Sequence, residues 1–99
     1  MNIFFLPASQ PEPRFPFGNL VITANASGRL DEQDVITALE RHGKCDWGDL
    51  PPEDRKENEL SLRQGVRLFS RYLDRKGVRF WVITEADRSA TTVLLPEDY

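Results

Sequence analysis

From Val66 the pattern takes the two-residue period of an extended strand. Val66, Leu68, Ser70 and Tyr72 fall on one side, and Arg67, Phe69, Arg71 and Leu73 on the other. Asp74-Arg75-Lys76-Gly77 then reads as a type I turn closed by a left-handed glycine, so a hairpin should join Val66–Leu73 to Val78–Thr84. Phe80 and Val82 on one face of that second strand, and Trp81 and Ile83 on the other, require cover on both sides, which places the strand inside a sheet. After the polar turn Glu85–Ser89, the run Thr91 to Leu95, β-branched through Val93 and then apolar, supplies a third strand. The C-terminal third is therefore expected to be an antiparallel meander.

Upstream the period lengthens to that of a helix. Asp31 is a suitable N-cap, Glu32 and Asp34 occupy the first turn, and Leu30 and Val35 are spaced as a hydrophobic staple. Val35, Ile36 and Leu39 line one face, Arg41 and His42 suit the C-terminal dipole, and Gly43 is the expected left-handed stop, which predicts a helix over about 32–42. A second helix should open at Pro51-Pro52-Glu53-Asp54 and end near Gly65, largely solvated because its leucines do not repeat at helical spacing. Asn2–Leu6 and Asn19–Thr23 read as short strands. Pro7, Pro11, Pro13 and Pro16 make an extended connection between them, with Phe15 and Phe17 available to attach it to the body. Ala24 to Gly28 reads as the exit loop of the second strand. The expected fold is α+β: an antiparallel β-meander of three C-terminal strands plus one or two N-terminal strands, with two helices packed on one face, in a single domain over 1–99.

Composition narrows the function classes. The 99 residues, 39% of them hydrophobic, suffice for one modest core. A net charge of −3 supplies no field that attracts phosphate backbones, so nucleic acid is disfavoured as a direct partner. One cysteine, Cys45, excludes an internal disulfide and a cysteine-rich zinc site. A cytoplasmic protein without cofactor or metal is expected. The apolar run Ile3–Leu6 is too short for a signal peptide or a membrane span, so no membrane association is anticipated, and a monomer or homodimer fits equally.

The run Asp46-Trp47-Gly48-Asp49-Leu50, then Asn58, Gly65, Ser70 and Tyr72, then Trp81 to Tyr99 (WVITEADRSATTVLLPEDY), with the pair Arg41-His42 ahead of them, resembles a family of small bacterial proteins carried on plasmids and integrative elements. The likeness covers Arg41 to Tyr99 and is most specific from Trp81 onward. The N-terminal third differs, since the family more often runs from a short strand into a helix with a longer acidic and apolar tail. The resemblance implies an accessory role on a mobile element, interference with host defence among such roles, and no assigned activity.

Two constellations could carry chemistry. His42, Asp46 and Asp49 are close in sequence, and Glu85, Asp87 and Arg88 crowd one hairpin tip. If His42, Asp46, Glu85, Asp87 and Arg88 converge on a pocket, the chain is a small hydrolase or toxin-like enzyme using general acid–base chemistry. Otherwise His42 complements a helix terminus, the aspartates cap turns, and Arg88 pairs with Glu85 or with Glu97 and Asp98. The leading expectation is a non-enzymatic protein-binding module that presents Trp47, Asp49, Glu85, Asp87 and Arg88 to a protein partner, with an inhibitor of a CRISPR effector or restriction enzyme as the concrete form. Trp47 serves equally as a core or rim anchor. Arg67, Arg71 and Arg79, sharing a face with Phe69 and Trp81, are the alternative surface for single-stranded nucleic acid. Cys45, beside Lys44 and His42, is a further candidate as an activated thiol.

Overall fold

The computed structural model describes the backbone of Asn2 and Ile3 and residues 13–99. The expected positions Phe4 to Leu6, Pro7 and Pro11 lie outside the described residues. The elements run β1 (Asn2–Ile3), β2 (Asn19–Ile22), α1 (Ala24–Arg29), α2 (Glu32–Gly43), α3 (Pro52–Gln64), β3 (Leu68–Leu73), β4 (Arg79–Thr84), β5 (Ala90–Leu94) and a 3-10 helix at Pro96–Asp98.

The architecture is α+β, around one sheet of order β1-β2-β5-β4-β3. The C-terminal meander is present, with Tyr72 opposite Phe80 and Val82 opposite Val93. The sheet as a whole is mixed rather than antiparallel, because β2 runs parallel to β5 with Ile22 beside Val93. Alternation dictates which residues share a face, and it is silent on the direction of a neighbouring strand. Three helices form instead of two. Thr23 leaves the strand and caps α1, its hydroxyl accepting from the Ala26 amide at 3.1 Å. The small residues that read as a loop are therefore a short helix, which buries Ala26.

The inner face of the sheet holds the core. Leu68 and Tyr72 of β3, Phe80 and Val82 of β4, and Val93 and Leu95 pack against Val35, Ala38 and Leu39 of α2, with Phe15, Phe17, Trp47 and Leu50 completing one apolar cluster. The proline-rich lead-in is attached through its two phenylalanines, as expected. Helix α2 begins as predicted, with the Asp31 carboxylate accepting from the Asp34 amide at 3.1 Å. It ends differently: Gly43 is its last helical residue, and the left-handed position falls on Cys45 (φ 64°). A side chain at Gly43 would meet Pro13 at 2.9 Å and Phe17 at 3.1 Å. That glycine is required for close approach of the N-terminal segment, not for its φ.

Helix α3 does stop at Gly65 in the left-handed conformation (φ 68°). It lies along the outer edge of β3 rather than on the sheet face. The Asn58 side chain accepts from the Phe69 amide at 3.2 Å and donates to the Phe69 carbonyl at 2.5 Å, replacing a missing neighbour strand. One rung further, the Arg71 amide donates to the Trp47 carbonyl and the Arg71 carbonyl accepts from the Asp49 amide. This second contact requires Gly48 (φ 75°), where a Cβ would sit 1.8 Å from the Arg71 carbonyl oxygen. At Phe69 and Arg71 the edge of β3 is thus closed by the chain itself.

Candidate functional site

His42 does not complement the helix terminus from the surface, nor does it face a pocket. It is wholly buried on the inner face, with Nδ1 2.5 Å from the Ser70 hydroxyl and Nε2 2.9 Å from the Thr84 hydroxyl. Thr84 is in turn 2.8 Å from Thr91, whose hydroxyl donates to the Phe17 carbonyl at 2.9 Å. Phe15 and Trp47 meet the imidazole edge-on. Burial, and then the nearby Arg88 charge, push its pKa down to about 3, so the ring is a neutral member of a buried hydrogen-bonded chain.

The other members of the conjectured catalytic set have separate occupations. Asp46 pairs with Arg41 at 2.8 Å, which holds its carboxyl below the usual range. Asp87 accepts from the Ser89 amide at 3.0 Å and forms the turn. Arg88, in the left-handed conformation (φ 61°), directs its guanidinium inward, donating to the carbonyls of Val66 at 2.7 Å and Glu85 at 3.1 Å and lying over the Phe15 ring. It ties the α3–β3 connection to the β4–β5 turn and pairs with none of Glu85, Glu97 or Asp98. No hydrogen bond or ion pair joins the side chains of His42, Asp46, Glu85, Asp87 and Arg88, so the structure does not assemble the catalytic site that their spacing allowed. Among the described residues there is also no group of three or more His, Cys, Asp or Glu that could hold a metal. Cys45 is half-buried and its thiol pKa is raised, chiefly by burial, the opposite of activation.

Trp47 is likewise relocated. It is 4% exposed, and its indole donates to Glu59 at 2.9 Å, so it anchors the core instead of presenting itself to a partner. Of the expected binding residues, Asp49, Glu85 and Asp87 keep accessible carboxylates.

The outer face of the sheet is the surface that remains. Strand register places Phe69, Arg71 and Leu73 of β3 beside Ile83, Trp81 and Arg79 of β4. Phe69 and Trp81 meet edge-to-face at 5.0 Å, and Tyr99, carried back under the sheet by the 3-10 helix, meets Trp81 at 5.6 Å. Tyr99 is 68% exposed and accepts from Arg67 at 2.7 Å, with the guanidinium also over its ring. The basic groups of this face are matched by acids: Asp49 lies 3.0 Å from Arg71 and 3.9 Å from Arg79, and Glu85 lies 3.7 Å from Arg67. Sequence reasoning placed the three arginines with Phe69 and Trp81 correctly. It missed Tyr99, because the turn that returns the tail depends on Asp98, which accepts from the Leu95 amide and from Thr23, far away in sequence.

No described helix is long and apolar enough to cross a membrane. No family model, curated protein or solved structure matches the chain.

Proposed function

We propose that the chain is a non-enzymatic protein-binding module whose contact surface is the outer face of the sheet. The observation that carries this reading is the row Phe69–Trp81–Tyr99 on a rigid sheet, bordered by Arg67, Arg71 and Arg79 and by the acids Asp49 and Glu85. Aromatic rings with a paired polar rim are the usual composition of a protein contact site, since rings bury much area at little conformational cost. The pairing argues against single-stranded nucleic acid, because a phosphate would have to displace Asp49 and Glu85 from the same guanidiniums. The accessory role implied by the motif resemblance belongs to this proposal, with a host defence complex of the CRISPR-effector or restriction type as the partner to assay first.

The test is affinity capture by the tagged protein, from host lysate and from purified effector complexes, beside a Tyr99→Ser, Arg79→Glu variant. Both side chains are exposed, so folding should be retained, as checked by circular dichroism. One stoichiometric partner, lost in the variant, is the expected result. Absence of a partner at low salt, or oligonucleotide binding that falls steeply with salt, would overturn the proposal.

A further inference from the structure

The two tryptophans of the chain differ in what their indole N–H groups meet. Trp47 donates to Glu59, whereas Nε1 of Trp81 is fully enclosed and has no hydrogen-bond partner among the described residues. Enclosed donors are ordinarily bonded, and a buried indole usually finds an acceptor. Trp81 lies on the outer face of the sheet, opposite Arg71 and two residues from Arg79 on the same side of β4. The Arg79 side chain is 48% exposed, and its guanidinium makes no hydrogen bond among the described residues. Its contact with Asp49, at 3.9 Å, stands at the outer limit of an ion pair. Asp49 is engaged elsewhere, accepting from Arg71 Nε at 3.0 Å, and Arg67 is held by Tyr99 and Glu85. Three guanidiniums, of Arg67, Arg71 and Arg79, against two carboxylates, of Asp49 and Glu85, leave this rim one positive charge in excess on a chain whose net charge is −3. The outer face is therefore short of acceptors at two neighbouring positions, Arg79 and Trp81.

We propose that the protein segment docking on the outer face is acidic: an aspartate or glutamate of the partner pairs with Arg79, and an oxygen of the same segment accepts from Trp81 Nε1. The inference rests on the binding reading above and specifies the chemistry of its partner. Leu73, opposite Arg79 in the register and 54% exposed, gives an apolar neighbour of that acid a place to pack. The arriving carboxylate exchanges only the 3.9 Å contact and leaves Asp49 on Arg71. A nucleic-acid strand, with a phosphate at every step, would also need Arg67 and Arg71 released from their acids. The indole N–H is covered in the free protein. Tyr99, whose ring lies 5.6 Å from that of Trp81 and which is 68% exposed, is the neighbour that turns to admit the acceptor while its ring stays in the contact. An unbonded enclosed donor costs free energy that a bound acceptor returns, so the face discriminates in favour of segments that carry one at this place.

The experiment is an NMR titration of the isotope-labelled full chain, read at its indole N–H signals, with the peptide acetyl-Ala-Leu-Asp-Glu-Leu-Ala-amide. A saturable downfield shift at Trp81 is expected, with Trp47, already bonded to Glu59, unmoved. Affinity should fall about tenfold or more with the Asn-Gln form of the peptide and in an Arg79→Gln variant, the loss expected of a charge-assisted hydrogen bond, and should recover in Arg79→Lys. Arg79 is exposed, so both variants should fold, as circular dichroism checks. No saturable shift at Trp81, equal binding of the Asn-Gln peptide, or tighter binding of a Lys-Lys form would overturn the inference. Hexathymidylate binding more tightly than the acidic peptide would overturn the assignment to a protein. Partner capture separates the two claims. If the Tyr99→Ser, Arg79→Glu variant loses the partner while Arg79→Gln retains it in full, this inference fails and the binding reading stands. If neither variant loses the partner, both fail.

Discussion

Both ring nitrogens of His42 are occupied inside the protein, by Ser70 and Thr84, and its charged form has no place there. The linkage follows from the two pKa values, about 3 when folded and 6.5 as the ordinary value. The unfolded chain takes up the proton first, so the contribution of the neutral ring is complete above pH 6.5 and is lost as pH falls. Over that interval stability should decline by about 1.4 kcal/mol per pH unit from this group. Denaturant titrations at pH 7.5, 6 and 5 should show the decline, and His42→Gln, though less stable, should flatten it. Below pH 4 the lowered carboxyls of Asp34 and Asp46, paired with Arg75 and Arg41, act in the same direction. None of this was legible in the sequence, where His42 stands beside Arg41 at the end of an amphipathic helix. Its partners lie 28 and 42 residues away. The hydroxyls of Ser70, Thr84 and Thr91 at inward strand positions were the available signal, since polar groups on a buried face need a shared partner.

At the scale of elements, Gly48 and Gly65 separate two reasons for a glycine. Both have positive φ, but a Cβ at Gly65 meets nothing within 4 Å, whereas at Gly48 it strikes the Arg71 carbonyl. Gly65→Ala should therefore cost about 1 kcal/mol, the strain of the left-handed conformation alone. Gly48→Ala should cost more than about 3 kcal/mol, because the strand edge must also open. Thermal or denaturant melts of the two variants check the difference. Asn58→Ala should cost about 1–2 kcal/mol and speed hydrogen exchange at the Phe69 amide, since both backbone groups of that residue lose their partner. Helices α2 and α3 were legible because caps and breakers are local signals. Helix α1 was not, because its start depends on a single threonine and its sequence, ANASGR, has little helical bias. The parallel pairing of β2 with β5 was illegible for another reason: it joins segments separated by most of the chain.

For the whole molecule, the buried residues from Phe15 to Leu95 form one cluster to which the N-terminal segment, α1, α2 and the sheet all contribute. Calorimetry should accordingly give a single unfolding transition with equal calorimetric and van't Hoff enthalpies, and two resolved transitions would contradict a shared core. The candidate surface was half legible. Alternation along β3 and β4 assembled Phe69, Trp81 and the three arginines on one face, but pattern alone could not say that Trp47 and Arg88 turn inward. Those two side chains are held by Glu59, Val66 and Glu85, partners that only the folded chain supplies.

The closed edge of β3 has a consequence for the protein in concentrated solution. A sheet whose last strand already has its outward amides and carbonyls at Phe69 and Arg71 bonded to Asn58, Trp47 and Asp49 offers little template along that stretch for a second chain to extend. Ordered aggregation is therefore blocked at this margin by one amide side chain and one glycine turn. Either of them, once replaced, would turn this strand into a seed.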